Sequence, residues 1–244
     1  MQDKLIGRNP VKEMLKSGGD IDKIFVKKEA DGSLVPILRM ARERHIPVSE
    51  VDRRKLDSLA EGENHQGIVA FVPCERYYTP AEILERAREE GRQPFVVILD
   101  KICDPHNLGS IIRTANCAGA DGVIIPKHGS APLGSVAAKT SAGATAYTPV
   151  ARVTNVARTI DELKKEGLWI IGADMDGEPM YNIDMTGAVG LVIGNEGEGI
   201  SRLVREKCDF VAEIPMCGEI SSLNASVAAA VLMYEVVRRR YKNC

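Results

Sequence analysis

The sequence predicts an α/β protein in two parts, a small α/β unit followed by a larger domain built on a parallel sheet. Three observations carry that expectation. From residue 94 onward, short apolar runs alternate with segments of helical spacing, the succession that builds parallel sheets. The first of these runs, FVVILD (95–100), is apolar without alternation, as in a strand covered on both faces. Ahead of it, PCERYYTP (73–80) is bracketed by prolines, which disfavour helix at the residues before them, so the stretch reads as a linker.

Within residues 1–72, Gly7 and Pro10 lead into a helix through Val11, Met14 and Leu15. IDKIFVKK (21–28) has strand character, 34–44 has helical spacing through Leu34, Leu38 and Ala41, and IPVSEV (46–51) is a second short strand. Asp52 is placed to cap a helix through Leu56 and Leu59, and QGIVAFV (66–72) is a third strand. Thr79 and Pro80 open a charged helix to Glu90 with a thin apolar stripe of Ala81, Leu84 and Ala87, completing a connecting segment over 73–93. The larger domain, 94–244, starts with strand 95–100, helix 108–118, strand 122–126 and a short helix at 136–142. Helix 156–166, strands 168–174 and 190–194, a helical turn at 201–206 and strand 209–215 follow. A long final helix over 222–241 is expected to be buried through Val227, Val231 and Val236. There is no internal repeat and no low-complexity tract.

Composition narrows the function classes. The hydrophobic fraction of 44% suits an ordinary globular core. No apolar run is long enough to cross a bilayer and the opening MQDKLIGRNP lacks a signal-peptide core, so no membrane and a cytoplasmic location are expected. The cysteines (Cys74, Cys103, Cys117, Cys208, Cys217, Cys244) form no CxxC, and the histidines form no HxxxH pair. Reduced thiols and no metal are therefore expected. A net charge of −2 argues against a dedicated nucleic-acid scaffold. It leaves room for an RNA-modifying enzyme, which needs only a local basic patch and must release its product. Lys27-Lys28, Arg39 with Arg42 and Arg44, Arg53-Arg54-Lys55, and Arg238-Arg239-Arg240 are either such patches or solvated helix faces.

Three segments carry the candidate chemistry, and each also has a plain structural reading. In LVIGNEGEGIS (191–201), an apolar strand runs into Gly194, Gly197 and Gly199 placed around Asn195, Glu196 and Glu198. The glycine order reverses the dinucleotide fingerprint and the helix after it is short, so a dinucleotide fits poorly. Two carboxylates repel phosphate, whereas a cationic ligand with adenine and amino-acid moieties, such as S-adenosylmethionine, is compatible; so is a surface turn. In IPMCGEISSLNASVAAAVLMYE (214–235), a strand ends, turns, and enters the final helix with Ser221 or Ser222 as cap. The Ala- and Ser-rich helix start lets a flat ligand or another backbone pack close, and it equally suits a well-capped buried helix. In NLGSIIRT (107–114), Asn107 is placed as an N-cap, with Gly109 in the first turn and Arg113 further along the same side. A guanidinium buried among these apolar neighbours needs a partner. The partner is either a salt bridge or an RNA phosphate, which the planar fork suits. The neighbouring His106 is either structural or a base working near neutral pH.

Together and in this order, the three segments resemble the motifs of the SPOUT class of RNA methyltransferases in its SpoU branch. They are most similar to bacterial 23S rRNA guanosine 2′-O-methyltransferases of the RlmB type. The opening GRNPVKEML also resembles that family's substrate-binding domain, so the likeness spans nearly the whole chain. The resemblance implies a trefoil-knotted, parallel-sheet SPOUT methyltransferase domain over 94–244, with the chain end tucked through a loop. A small α/β ribosomal-protein-like RNA-binding domain over 1–72 would precede it. It further implies a homodimer with the site near the subunit interface, S-adenosylmethionine as cofactor, and RNA, foremost 23S rRNA, as substrate. Gly194, Ile214 and Leu223 would hold the cofactor through backbone groups, with Gly197, Gly199, Met216 and Gly218 lining the same loops. Asn107, Arg113, Glu196, Ser222 and Asn224 match the polar positions the family associates with catalysis. The family gives Arg113 a part in activating the ribose hydroxyl. Because arginine stays protonated far above neutrality, holding the adjacent phosphate suits it better than acting as a base.

Three other readings are open to discrimination. A tRNA guanosine 2′-O-methyltransferase would lack this kind of separate N-terminal domain. A catalytically silent RNA-binding protein would not need the polar set. A nicotinamide-dependent oxidoreductase is opposed by the reversed glycine order and the lack of an acid–base pair.

Overall fold

The computed structural model describes residues 4–28, 32–73, 75–195 and 197–241. Cys74 and Glu196, among the residues singled out above, lie outside that set, as does Cys244. The chain divides into two compact units, the first Met1–Arg76 with Pro132–Ser135, the second Tyr77–Ala131 with Val136–Cys244.

The first unit runs β1 (Lys4–Ile6), α1 (Arg8–Lys16), β2 (Lys23–Lys27), α2 (Val35–Glu43), β3 (Val48–Val51), α3 (Arg53–Ala60) and β4 (Ile68–Phe71). Its sheet has the order β1-β4-β2-β3, with β2 parallel to β3 and antiparallel to β4. Strand alternation divides the core in two. Ile24 and Val26 of β2 join Val11 and Leu15 of α1 and Ile37 and Ala41 of α2, while Phe25 turns to Leu56 and Ala60 of α3. Asp52 caps α3 as expected, accepting a hydrogen bond from the Lys55 amide at 2.8 Å. The edge strand β1 was not anticipated, because three residues are too few to show a period.

The second unit begins with α4 (Pro80–Glu89), β5 (Phe95–Leu99), α5 (Pro105–Cys117), β6 (Gly122–Pro126) and α6 (Ser135–Thr140). It continues with β7 (Val150–Val153), α7 (Val156–Lys165), β8 (Trp169–Pro179), β9 (Val189–Ile193), α8 (Arg202–Lys207), β10 (Phe210–Glu213) and α9 (Ala225–Tyr241). The six strands pair in the order β10-β8-β9-β5-β6-β7, and every pairing is parallel, as the alternation of elements predicts. β5 and β9 sit in the middle and are buried along their whole length, which explains their unbroken apolar sequence. Thr79 and Glu82 form a reciprocal capping box at the start of α4, the amide of Glu82 donating to Thr79 Oγ1 at 3.2 Å. The Tyr78 amide donates to the Val150 carbonyl at 2.9 Å, so this part of PCERYYTP borders β7.

The structure revises four local expectations. Asp104, not Asn107, caps α5: its carboxylate accepts the His106 amide at 3.0 Å, and Pro105 takes the first helical position, where no amide is needed. Asn107 therefore lies inside the first turn, 8% exposed. Asn224, not Ser221 or Ser222, caps α9, its Oδ1 accepting the amide of Ser226 at 3.0 Å. That start sets the phase of α9, whose buried face is Ala225, Ala229, Leu232, Met233 and Val236, while Val227 is exposed. β7 is an unforeseen strand. β8 continues to Pro179, past its expected end at Asp174, through a shift in its pairing with β10.

Candidate active site

A parallel sheet brings the carboxyl ends of its strands to one edge, and the loops leaving that edge form the crevice in which such folds bind ligands. Here β5, β9 and β10 lead into 100–104, 194–201 and 214–224. The last two loops hold the second and third candidate segments, and the first segment starts in the opening turn of α5, directly after 100–104.

The glycine loop after β9 folds on itself. The Asn195 amide donates to the Gly199 carbonyl at 3.0 Å, the Gly199 amide returns to the Asn195 carbonyl at 2.8 Å, and Asn195 Oδ1 accepts the Gly197 amide at 2.9 Å. This crossing leaves no room for a side chain at Gly194, where a Cβ would lie 2.1 Å from the Gly199 carbonyl carbon. Gly199 itself has φ +67°, a left-handed conformation that glycine adopts without penalty.

The loop after β5 holds this fold in place. Asn195 Nδ2 donates to the Lys101 carbonyl at 3.2 Å, and Lys101 Nζ pairs with Glu198 Oε2 at 3.2 Å. Asp100, buried at the end of β5, accepts the Ser201 amide at 2.7 Å and so supports the entry to α8. The first and third segments are joined as well: Asn224 Nδ2 donates to Asn107 Oδ1 at 3.1 Å across 117 residues of chain. Asn224 thus caps α9 with its oxygen and reaches α5 with its nitrogen.

The turn after β10 is open. Ile214 and Leu223 are half-buried, whereas Met216, Gly218 and Ser222 are exposed, and a Cβ at Gly218 would meet nothing within 4 Å. Ile220 is 76% exposed, so the loop offers backbone groups and apolar side chains together. Glu198, whose charge Lys101 partly offsets, is the described carboxylate of the glycine loop. This donor set fits a ligand with a flat apolar ring and a positive centre.

Arg113 departs from the expected placement. It is exposed rather than buried, and it makes no hydrogen bond or ion pair among the described residues. Six residues along a helix turn through about 600°, so Arg113 points roughly 120° away from Asn107 instead of sharing its side. The guanidinium is solvated, and no internal salt bridge is required. His106 Nδ1 lies 3.3 Å from Thr140 Oγ1, and α6 packs so closely there that a Cβ at Gly109 would come within 2.5 Å of the Ala137 carbonyl oxygen.

Asp100, Lys101, Asp174 and Arg205 contribute to this edge without having been singled out from sequence. Asp174 Oδ1 lies 3.9 Å from the position of a Cβ at Gly199, and Arg205 binds Asp174. The available signal was an acidic residue at the end of an apolar run, seen in both FVVILD and LWIIGAD. Burial pushes the Cys208 thiol up to about 12, so this cysteine does not act as a nucleophile near pH 7. Among the described residues, no group of three His, Cys, Asp or Glu is arranged to hold a metal ion, and no helix is long and apolar enough to cross a membrane.

The six-stranded parallel sheet, with the three candidate segments on the loops and helix start at its carboxyl edge, defines an α/β protein of the parallel-sheet class. Residues 94–234 match the SpoU rRNA methylase family, and residues 4–78 match the RNA 2′-O ribose methyltransferase substrate-binding family. YacO of Bacillus subtilis (strain 168), assigned to the TrmH family of tRNA/rRNA methyltransferases, is 45% identical over 240 residues, covering 98% of this chain and 96% of that one. The crystal structure of the SpoU methyltransferase AviRb from Streptomyces viridochromogenes, in complex with AdoMet, aligns with a TM-score of 0.63. It is 26% identical and covers 99% of this chain and 91% of its own. The TrmH/SpoU tRNA-modifying enzyme of A. aeolicus aligns with 67% of this chain and 85% of its own, at a TM-score of 0.56 and 26% identity. The chain belongs to the SpoU rRNA methylase family and is an RNA methyltransferase.

Proposed function

We propose that this enzyme transfers a methyl group from S-adenosylmethionine to the ribose 2′-hydroxyl of a guanosine in 23S rRNA. The observation that carries the reading is the gathering of three distant segments at one sheet edge. Lys101 and Asp100 hold the glycine loop, and Asn224 ties the loop after β10 to Asn107. In this reading residues 94–244 form the methyltransferase domain, 73–93 connect it, and 1–72 bind the RNA, in the cytoplasm.

Gly194, Ile214 and Leu223 hold the cofactor through backbone groups, and Gly197, Gly199, Met216 and Gly218 line its cradle. The open backbone at Gly218 and the exposed Met216 and Ile220 suit an adenine ring and a sulfonium. Bound there, S-adenosylmethionine supplies a methyl group already activated by the positive sulfur. The protein's task is then to orient the acceptor hydroxyl. Arg113, solvated and without a partner among the described residues, takes the phosphate next to that hydroxyl in a bidentate grip. Asn107, Glu196, Ser222 and Asn224 complete the polar set, with Asn107 and Asn224 acting as a bonded pair. Positioning of this kind supplies much of the rate in such transfers.

The knot and the dimer belong to the same reading. The last helix, α9, is the segment tucked through the trefoil knot. Its outer side carries Val227, Tyr234 and Tyr241 at intervals of seven, an exposed apolar stripe that supports a homodimer placing Arg113 near the subunit interface.

Arg113→Ala should abolish methyl transfer while calorimetric binding of S-adenosylmethionine persists. Arg113→Lys should fail too, because a point charge does not reproduce the fork. Retained transfer in either variant would sink the role given to Arg113. A tRNA target is the second reading, since relatives carry the broader tRNA/rRNA name. The separate N-terminal unit, matched over residues 4–78 by the substrate-binding family, favours rRNA.

A further inference from the structure

The sheet order β10-β8-β9 sets the carboxyl end of β8 between the two loops of the cradle. There the pairing of β8 with β10 slips. Val211 stands opposite Gly172, but the next residue, Ala212, stands opposite Glu178, so 173–177 leave the ladder as an excursion. The return is tight, since a Cβ at Gly177 would lie 2.5 Å from the Val211 carbonyl oxygen.

Arg205 grips this excursion from α8, the helix that directly follows the glycine loop. Its Nε donates to Asp174 Oδ2 at 3.0 Å and its Nη2 to Asp176 Oδ1 at 2.6 Å. The second oxygen of Asp174 accepts the Met175 amide at 2.8 Å and faces Gly199. Its hydrogen bonds to Asp176 first, then to Asp174, hold the guanidinium pKa above its ordinary value. An exposed single ion pair contributes little, but a planar fork that engages two carboxylates of one excursion fixes an orientation.

We propose that Arg205, acting through Asp174 and Asp176, is a positioning residue for the cofactor: it sets the spacing between the β8 excursion and the glycine loop, and with it the shape of the cradle. The proposal rests on the reading of 194–201 and 214–224 as the S-adenosylmethionine cradle. Arg205 touches neither the methyl group nor the acceptor in this account, so its effect falls on affinity rather than on the chemical step.

The test is calorimetric titration of the full-length protein with S-adenosylmethionine, paired with steady-state kinetics on RNA. Arg205→Ala should raise Kd and KM for the cofactor about tenfold while kcat at saturating cofactor stays within about twofold. Arg205→Lys should fall between wild type and Arg205→Ala. Asp176→Asn, an exposed change that tests the claim if Arg205→Ala folds poorly, should shift Kd in the same direction by less. Arg202→Ala, which loses only a bridge to Glu206 on its own helix, should leave Kd unchanged. A merely structural role would lower the melting temperature without altering the affinity of the folded fraction. Cofactor binding by wild type with unaltered affinity in both Arg205→Ala and Asp176→Asn overturns this proposal alone, as does a loss confined to kcat. Failure of the wild-type protein to bind the cofactor overturns the cradle reading and this proposal with it.

Discussion

Gly194 shows how much one backbone position decides. The Asn195–Gly199 crossing passes directly over it, and even a methyl group would overlap the carbonyl carbon of Gly199. Gly194→Ala should therefore destabilise the protein by about 1–3 kcal/mol, the usual range for forcing extra volume into a packed site. It should also abolish S-adenosylmethionine binding, read by thermal melting and calorimetry; a wild-type melt with intact binding would contradict the loop's geometry. The need for glycine here was legible in GNEGEG because few other residues tolerate such an approach. The role of Asn107 was not. The run DPHN offers two good caps three positions apart, and proline's missing amide decides for Asp104, a choice the residue types alone do not settle. Arg113 was misplaced for a related reason: a charged residue among apolar neighbours in sequence need not share their face of the helix.

Elements bring these residues together, and α9 does so at both ends. Asn224 fixes its start against α5, while near its end the buried carboxylate of Glu235 receives Arg238 Nη2 at 2.6 Å and Arg239 Nε at 2.9 Å. The bond from Arg238, followed by that from Arg239, holds the Glu235 pKa below its ordinary 4.5. A depressed carboxylate pKa stabilises the fold above the unfolded value, and that stabilisation is lost as pH falls through the folded one. Stability should thus decline below about pH 4.5, and Glu235→Gln should flatten this part of the profile in urea melts at graded pH. An unchanged profile would show that the pair contributes nothing. The strands with long apolar runs, β5 and β9, were legible because both faces are buried. β7 was hidden by its length and by Arg152 within it, and the continuation of β8 by the pairing shift that only its neighbour β10 reveals.

For the whole molecule, a small N-terminal α/β unit ahead of a larger parallel-sheet unit was legible in the order of elements, whereas the grouping of Pro132–Ser135 with the first unit was not. The bond from Tyr78 to Val150 shows why a fragment should begin at Tyr77: that amide completes the border of β7. The fragment 77–244 should fold and bind S-adenosylmethionine but lose methylation of RNA, since RNA recognition rests on shape and exposed loops that the N-terminal unit would read. Full activity in the fragment would refute the division of labour. The convergence of the three segments was legible only as an order along the chain; the Asn107–Asn224 bond that joins the first and third, and the Asn195–Lys101 bond that holds the second to the loop ahead of the first, depend on the strand order β10-β8-β9-β5. The most direct measurement is transfer of a radiolabelled methyl group from S-adenosylmethionine to total RNA, followed by nucleoside mapping. Label is expected in 2′-O-methylguanosine of 23S rRNA; label in tRNA, on a base, or nowhere would contradict the proposed activity.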